Sequence, residues 1–146
     1  MSATETPLGR ILEYLAEEGY RPSDADDRGV DVSHGDVNLR VRVDPGDPEF
    51  FTISALIGPY EADDRATCLE VASELANTKK VLKAAVDGDM VRLSAELFVP
   101  DVDAFLKVLR RGIRQASHGV DWYVRRFQER KEASEGEATA TAESVS

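Results

Sequence analysis

Residues 81–100, VLKAAVDGDMVRLSAELFVP, decide the fold. They read as two strands joined at Asp87-Gly88-Asp89, where Asp-Gly supplies the positive φ that a tight turn wants. Pro100 closes the second strand, and Asp101 stands where it can cap a following helix. That helix carries Val102, Phe105, Leu106, Leu109, Ile113, Ala116, Val120, Tyr123 and Phe127. The stripe has a 3.6-residue period held for about seven turns. Three turns would cover a small sheet, so the excess length predicts a second surface for this helix to cover. Such a segment speaks of architecture and assembly, not of chemistry.

Toward the N-terminus the same local logic applies. Thr6-Pro7 opens a first helix, with Thr as cap and Pro in the first helical position. Leu8, Ile11, Leu12 and Leu15 form its apolar face, and Gly19 stops it near Glu18. RPSDADDRG is polar and reads as a loop or a weak edge strand. Val30-Asp31-Val32 is a short strand, His34-Gly35-Asp36 a turn, and Val37, Leu39, Val41 and Val43 alternate with Asn38, Arg40 and Arg42 as a half-buried strand. DPGDPE is a turn, Phe50 to Ile57 the next strand, and Gly58-Pro59 its end. Residues 62–79 form a second helix, with Asp63 and Asp64 favourable at its start and Lys79 and Lys80 at its end. Its apolar positions Ala66, Leu69, Ala72, Leu75 and Ala76, with Cys68 beside them, are mostly small, which predicts close packing on a sheet.

The order is therefore α-β-β-β-α-β-β-α, an α+β fold with an antiparallel sheet of about five strands and helices packed on it. Residues 1–130 make one domain. The final stretch, EASEGEATATAESVS, has no large apolar side chain except Val145, so 131–146 is expected to be a disordered acidic tail.

Charge narrows the function. The chain of 146 residues has a net charge of −10, and phosphate binding needs a basic surface, so nucleic acid is not the expected partner. The distribution is uneven. Residues 1–100 hold 20 acids and 10 bases, 101–131 hold 4 and 8, and 132–146 hold 4 acids and no base. The last helix is a basic rod on an acidic body. No apolar run approaches the ~18 residues of a membrane span. The start, MSATETPLGR, lacks the features of a signal peptide. With a single cysteine there is no internal disulfide. A cytoplasmic protein is expected.

The "ELANTKKVLKAAVDGDMVRLSAELFVP" passage, the helix after it and the order of elements resemble the YbjN family, itself similar in fold to the small dimeric chaperones of type III secretion. The likeness covers roughly residues 8 to 127, through Asn77, the Asp-Gly turn and Asp121 before Trp122-Tyr123. It implies an α+β domain that pairs with a second copy and a role in signalling regulation or protein binding. It implies no active-site residue.

Tests for chemistry are negative. DADDRG, from Asp24 to Gly29, offers calcium-loop carboxylates at positions one and three and glycine at six. Arg28 at position five and Gly35 at position twelve break the pattern. His34 and His118, the two histidines, would both be needed for zinc. Cys68, on an alanine-rich helix, reads as a small buried filler rather than a nucleophile. Gly112 and Gly119 allow another element close to the long helix, or a bend in it. No metal site and no cofactor is expected. Trp122 lies about 100° from the Tyr123 stripe. Beside Arg125 and Arg126 it suits an interface, as Trp and Arg dominate hot spots. With Arg110, Arg111 and Arg114 these residues form the candidate partner interface.

The sequence thus predicts a non-catalytic protein-binding or regulatory domain, chaperone-like and homodimeric, with an unidentified protein partner. The alternative is a small-ligand sensor using the gap between the sheet and the last helix. A small enzyme comes behind both, because nucleophile, base and metal ligands do not cluster.

Overall fold

The computed structural model describes residues 6–23 and 29–145, with side chains as far as 137. The elements are α1 (Pro7–Glu17), β1 (Val30–His34), β2 (Val37–Asp44), β3 (Asp47–Ile57), a 3₁₀ turn (Ala62–Asp64), α2 (Arg65–Thr78), β4 (Leu82–Asp87), β5 (Met90–Phe98) and α3 (Val102–Val145). Both predicted helix caps form. The Thr6 hydroxyl accepts from the Gly9 amide at 3.0 Å, and the Asp101 carboxylate accepts from the Ala104 amide at 2.9 Å. Gly88 takes φ 62° in the turn between β4 and β5, a conformation that suits glycine. β3 begins at Asp47, ahead of the predicted Phe50. The Asp44 carboxylate accepts from the Gly46 amide at 3.1 Å and closes the preceding turn early. The calcium-loop question at Asp24–Gly29 falls almost wholly outside the described residues.

The five strands pair antiparallel in the order β1-β2-β3-β5-β4. Their alternation sorts two faces. Val30, Val32, Leu39, Val41, Phe51, Ile53, Leu93 and Ala95 are buried beneath the helices. Phe105, Leu109, Ile113, Ala116 and Tyr123 of α3 are fully buried as well. Phe51 and Phe105 stack across this layer with centroids 4.3 Å apart. Gly112 and Gly119 are points of close approach: a Cβ at Gly112 would lie 2.5 Å from Ile53 Cδ1, and one at Gly119 2.6 Å from Leu82 Cδ1.

Three expectations change. The first concerns α2, which buries Cys68, Val71, Ala72 and Leu75 and exposes Ala66, Leu69 and Ala76. Small residues spread around a helix give a weak periodic signal, and the true stripe is rotated from the predicted one. Next, α3 does not end near Arg130; its backbone stays helical to Val145. Residues 132–137 are all exposed, so the alanines and glutamates there extend the helix by propensity and not by packing. Finally, the gap between sheet and α3 is filled by the side chains just named. Among the described residues, open volumes lie on the sheet face away from the helices and beside α2.

Candidate functional site

The excess length of α3 first meets the protein's own helices. Tyr123 donates its hydroxyl to the Cys68 carbonyl of α2 at 2.8 Å, in the buried seam. Further along, Arg126 reaches Glu74 at 2.8 Å, Arg130 reaches Glu70 and Glu74 at 3.0 Å, and Lys131 reaches Asp64 at 3.5 Å. At the other end Arg110 reaches Glu18 at 3.1 Å, and Arg10 of α1 pairs with Asp103. The basic rod thus lies partly against its own acidic body. Burial works against the Glu74 carboxylate, but hydrogen bonds from Arg126 and Arg130 outweigh it and hold the pKa below its ordinary value.

The predicted interface residues are divided by this arrangement. Arg110 and Arg126 are engaged within the chain. Trp122 is half-buried against the core, with the Lys79 ammonium 5.9 Å from its ring centroid. Arg111, Arg114 and Arg125 are exposed on the outward side of α3 and carry no ion pair among the described residues.

A surface that the sequence reading passed over is the sheet face away from the helices. It is an open groove of about 810 Å³. Strand pairing aligns its residues in rows. One row runs Asp31, Arg40, Ser54, Ser94, Lys83 across all five strands; the neighbouring ones are Arg42, Thr52, Glu96 and Leu56, Arg92, Ala85. Phe50 and Phe98 pair at one end, with ring centroids 5.0 Å apart. Phe98 is 76% exposed and Leu56, at the other end, 61%. Its signal in the sequence was the alternation of Asn38, Arg40 and Arg42, read only as the polar side of one strand.

Cys68, Ser117 and Tyr123 are buried. Cys68 is 2% exposed, and burial pushes its thiol pKa up, so it stays protonated. Burial also raises the Tyr60 and Tyr123 hydroxyls, Tyr60 to about 12. These groups line or adjoin a small pocket of about 240 Å³ with Met90 and Val91. His34 Nδ1 lies 3.1 Å from Ser117 Oγ, which satisfies a hydroxyl that is itself buried and so inaccessible to a substrate. Among the described residues, no three His, Cys, Asp or Glu side chains converge as a metal site would require, and no helix is long and apolar enough to cross a membrane.

Comparison with solved structures places this architecture. The chain is similar to YbjN from E. coli, described as a putative transcription regulator, at TM-score 0.60 and 13% identity, covering 77% of this chain and 87% of that one. A chain of the HopA1–SchA chaperone–effector complex matches at TM-score 0.56 and 14% identity over 88% and 98%. An uncharacterised protein from Methanothermobacter thermautotrophicus matches at 0.53 and 17% over 84% and 99%. No family model and no curated protein matches the chain. The fold is therefore the α+β fold implied by the sequence resemblance, shared with YbjN and with a chain of a chaperone–effector complex. At these identities the likeness is one of fold.

Proposed function

We propose that this protein is a non-catalytic docking module that holds a polypeptide partner on the uncovered face of its sheet. The observation that carries this reading is a five-stranded sheet that, among the described residues, carries helices on one side only, while its other side is a groove with Phe98 and Leu56 exposed at its ends. Large exposed apolar side chains rimmed by polar ones mark interaction sites. A fold shared with a chain of a chaperone–effector complex supports the same reading. The functional unit is the single domain that ends near residue 130, in a cytoplasmic protein. A homodimer belongs to the proposal, because β4 stands at one edge of the sheet.

Leu56→Asp with Phe98→Asp tests the face. Both side chains are exposed, so the circular dichroism spectrum should hold while crosslinked capture of partners from the native cell extract falls. Unchanged capture would overturn the reading. The outward side of α3, with Arg111, Arg114 and Arg125 exposed, Trp122 at its margin and the paired Arg110 and Arg126 beside them, is proposed as the second contact surface. Arg110→Glu with Arg114→Glu should weaken dimerisation or capture without changing secondary structure. Unaltered assembly in that variant, or a mass near 16 kDa by light scattering of the wild type, would remove it.

A further inference from the structure

We infer that the outward side of α3 seats the same side of a second copy of this chain. The two helices run antiparallel about a two-fold axis level with Tyr123, so the basic part of each lies along the acidic end of the other. This rests on the homodimer reading above and adds the surface and the register.

Charge changes along one line of the helix. α3 buries Phe105, Leu109, Ile113, Ala116 and Tyr123 on its inner side. On the opposite side Arg111 and Arg114, then Asp121 and Arg125, then Glu132 and Glu135 are all exposed. With His118 and Gln128, exposed as well, the spacing alternates three and four residues. That is the seven-residue repeat by which two helices keep a shared seam. Among the described residues, only Glu132 of the six charged positions has a side-chain partner, the Gln128 amide at 3.2 Å. The seam is basic at its start and acidic at its end.

One rigid helix cannot bring these ends together, because Arg111 and Glu135 are separated by about 36 Å of helix at about 1.5 Å per residue. A second copy can. Positions equally far from Tyr123 along two antiparallel helices face each other. Arg111 then faces the partner's Glu135, Arg114 the partner's Glu132 and Asp121 the partner's Arg125, each contact made twice by symmetry. His118 faces the partner's Gln128, so no position sets like charges together. A slip of seven residues one way brings Arg114 against the partner's Arg125. The opposite slip brings Asp121 against the partner's Glu132, and a parallel pair sets every charge against its own copy. Charge thus selects one register. At the axis Val124, 47% exposed, and half-buried Trp122 flank the seam and supply apolar contact. A nucleic acid or an acidic peptide would engage the arginines alone and leave Glu132 and Glu135 without a counterpart. A charged seam is looser than an apolar coiled coil, so the pair is reversible and weakened by salt. In a dilute melting experiment it therefore adds little to the stability of the chain.

Analytical ultracentrifugation of the full chain over a concentration series tests the pairing. The two variants are Arg111→Glu/Arg114→Glu and Glu132→Arg/Glu135→Arg. All four positions are exposed, so the circular dichroism spectrum should hold. The wild type should reach twice the 16.0 kDa of one chain, and less readily as salt rises. Each variant alone should self-associate at least about tenfold more weakly, since its seam sets like charges together. Mixed in equal amounts, the two variants should recover the dimer, because the acidic seam of one matches the basic seam of the other. A wild-type dimer that both variants keep would overturn this inference and leave the homodimer reading standing. Variants that fail alone and also fail when mixed would do the same. A wild type that stays at 16.0 kDa throughout would overturn both.

Discussion

Replacing Gly112 by Ala sets two effects of opposite sign against each other. In an open helix the change stabilises by about 1 kcal/mol, since alanine is the better helix former. Here the new methyl would sit 2.5 Å from Cδ1 of Ile53, a residue with no exposed surface. Forcing an extra carbon into a filled core costs about 1–3 kcal/mol. The net expectation is a loss of roughly 0–2 kcal/mol. Ile53→Val deletes the colliding Cδ1 and alone costs about 0.5–1.5 kcal/mol. The next Ile53 atom is 4.0 Å away, an ordinary contact. In the double variant the helix gain should therefore return, so that the two changes are non-additive by about 1–3 kcal/mol. Urea titrations followed by circular dichroism and by Trp122 fluorescence measure all four proteins. Gly136→Ala is the control, with nothing within 4 Å of the new methyl; it should raise helicity without loss of stability. A stabilising Gly112→Ala that adds simply to Ile53→Val would refute the close seating of α3 on β3.

Glu74 has a pKa held below its ordinary 4.5, so its ion pairs stabilise at neutral pH and are lost as pH falls through the lowered value. The melting-temperature gap between wild type and Glu74→Gln should then close between pH 7 and strongly acid conditions; a constant gap would refute the linkage. Val81 has φ 71° and is 56% exposed. The strain of about 1–2 kcal/mol that a left-handed conformation imposes should make Val81→Gly neutral or stabilising, and a loss above about 1 kcal/mol would contradict it. Deleting residues 132–146 should leave the melting temperature unchanged, because residues 132–137 are exposed; a drop of several degrees would mean that the extension packs. Cys68 should react with a thiol reagent at the rate of unfolding, being 2% exposed with its pKa raised; fast labelling of the native protein would show that the small pocket opens.

Sequence alone determined the elements and their order. Thr6, Asp101, the Asp-Gly turn and the α3 stripe act through neighbours within a turn or two, so their meaning is local and readable along the chain. It also showed that Gly112 and Gly119 permit a close neighbour or a bend, but not which, nor that the neighbours are Ile53 and Leu82. Where periodicity was weak, as in α2, the buried face was misjudged by a rotation of the stripe. Tertiary structure decided what requires distant segments to meet. Insertion of β5 between β3 and β4 aligns Arg40 and Arg42 with Ser54, Thr52, Ser94 and Glu96, turning separate polar alternations into one lined groove. The partners of the basic rod likewise lie more than 50 residues away in sequence. Alternation tells which residues share a face of one strand; only the pairing of strands tells which faces join, and only the packing of layers tells which of them the helices cover.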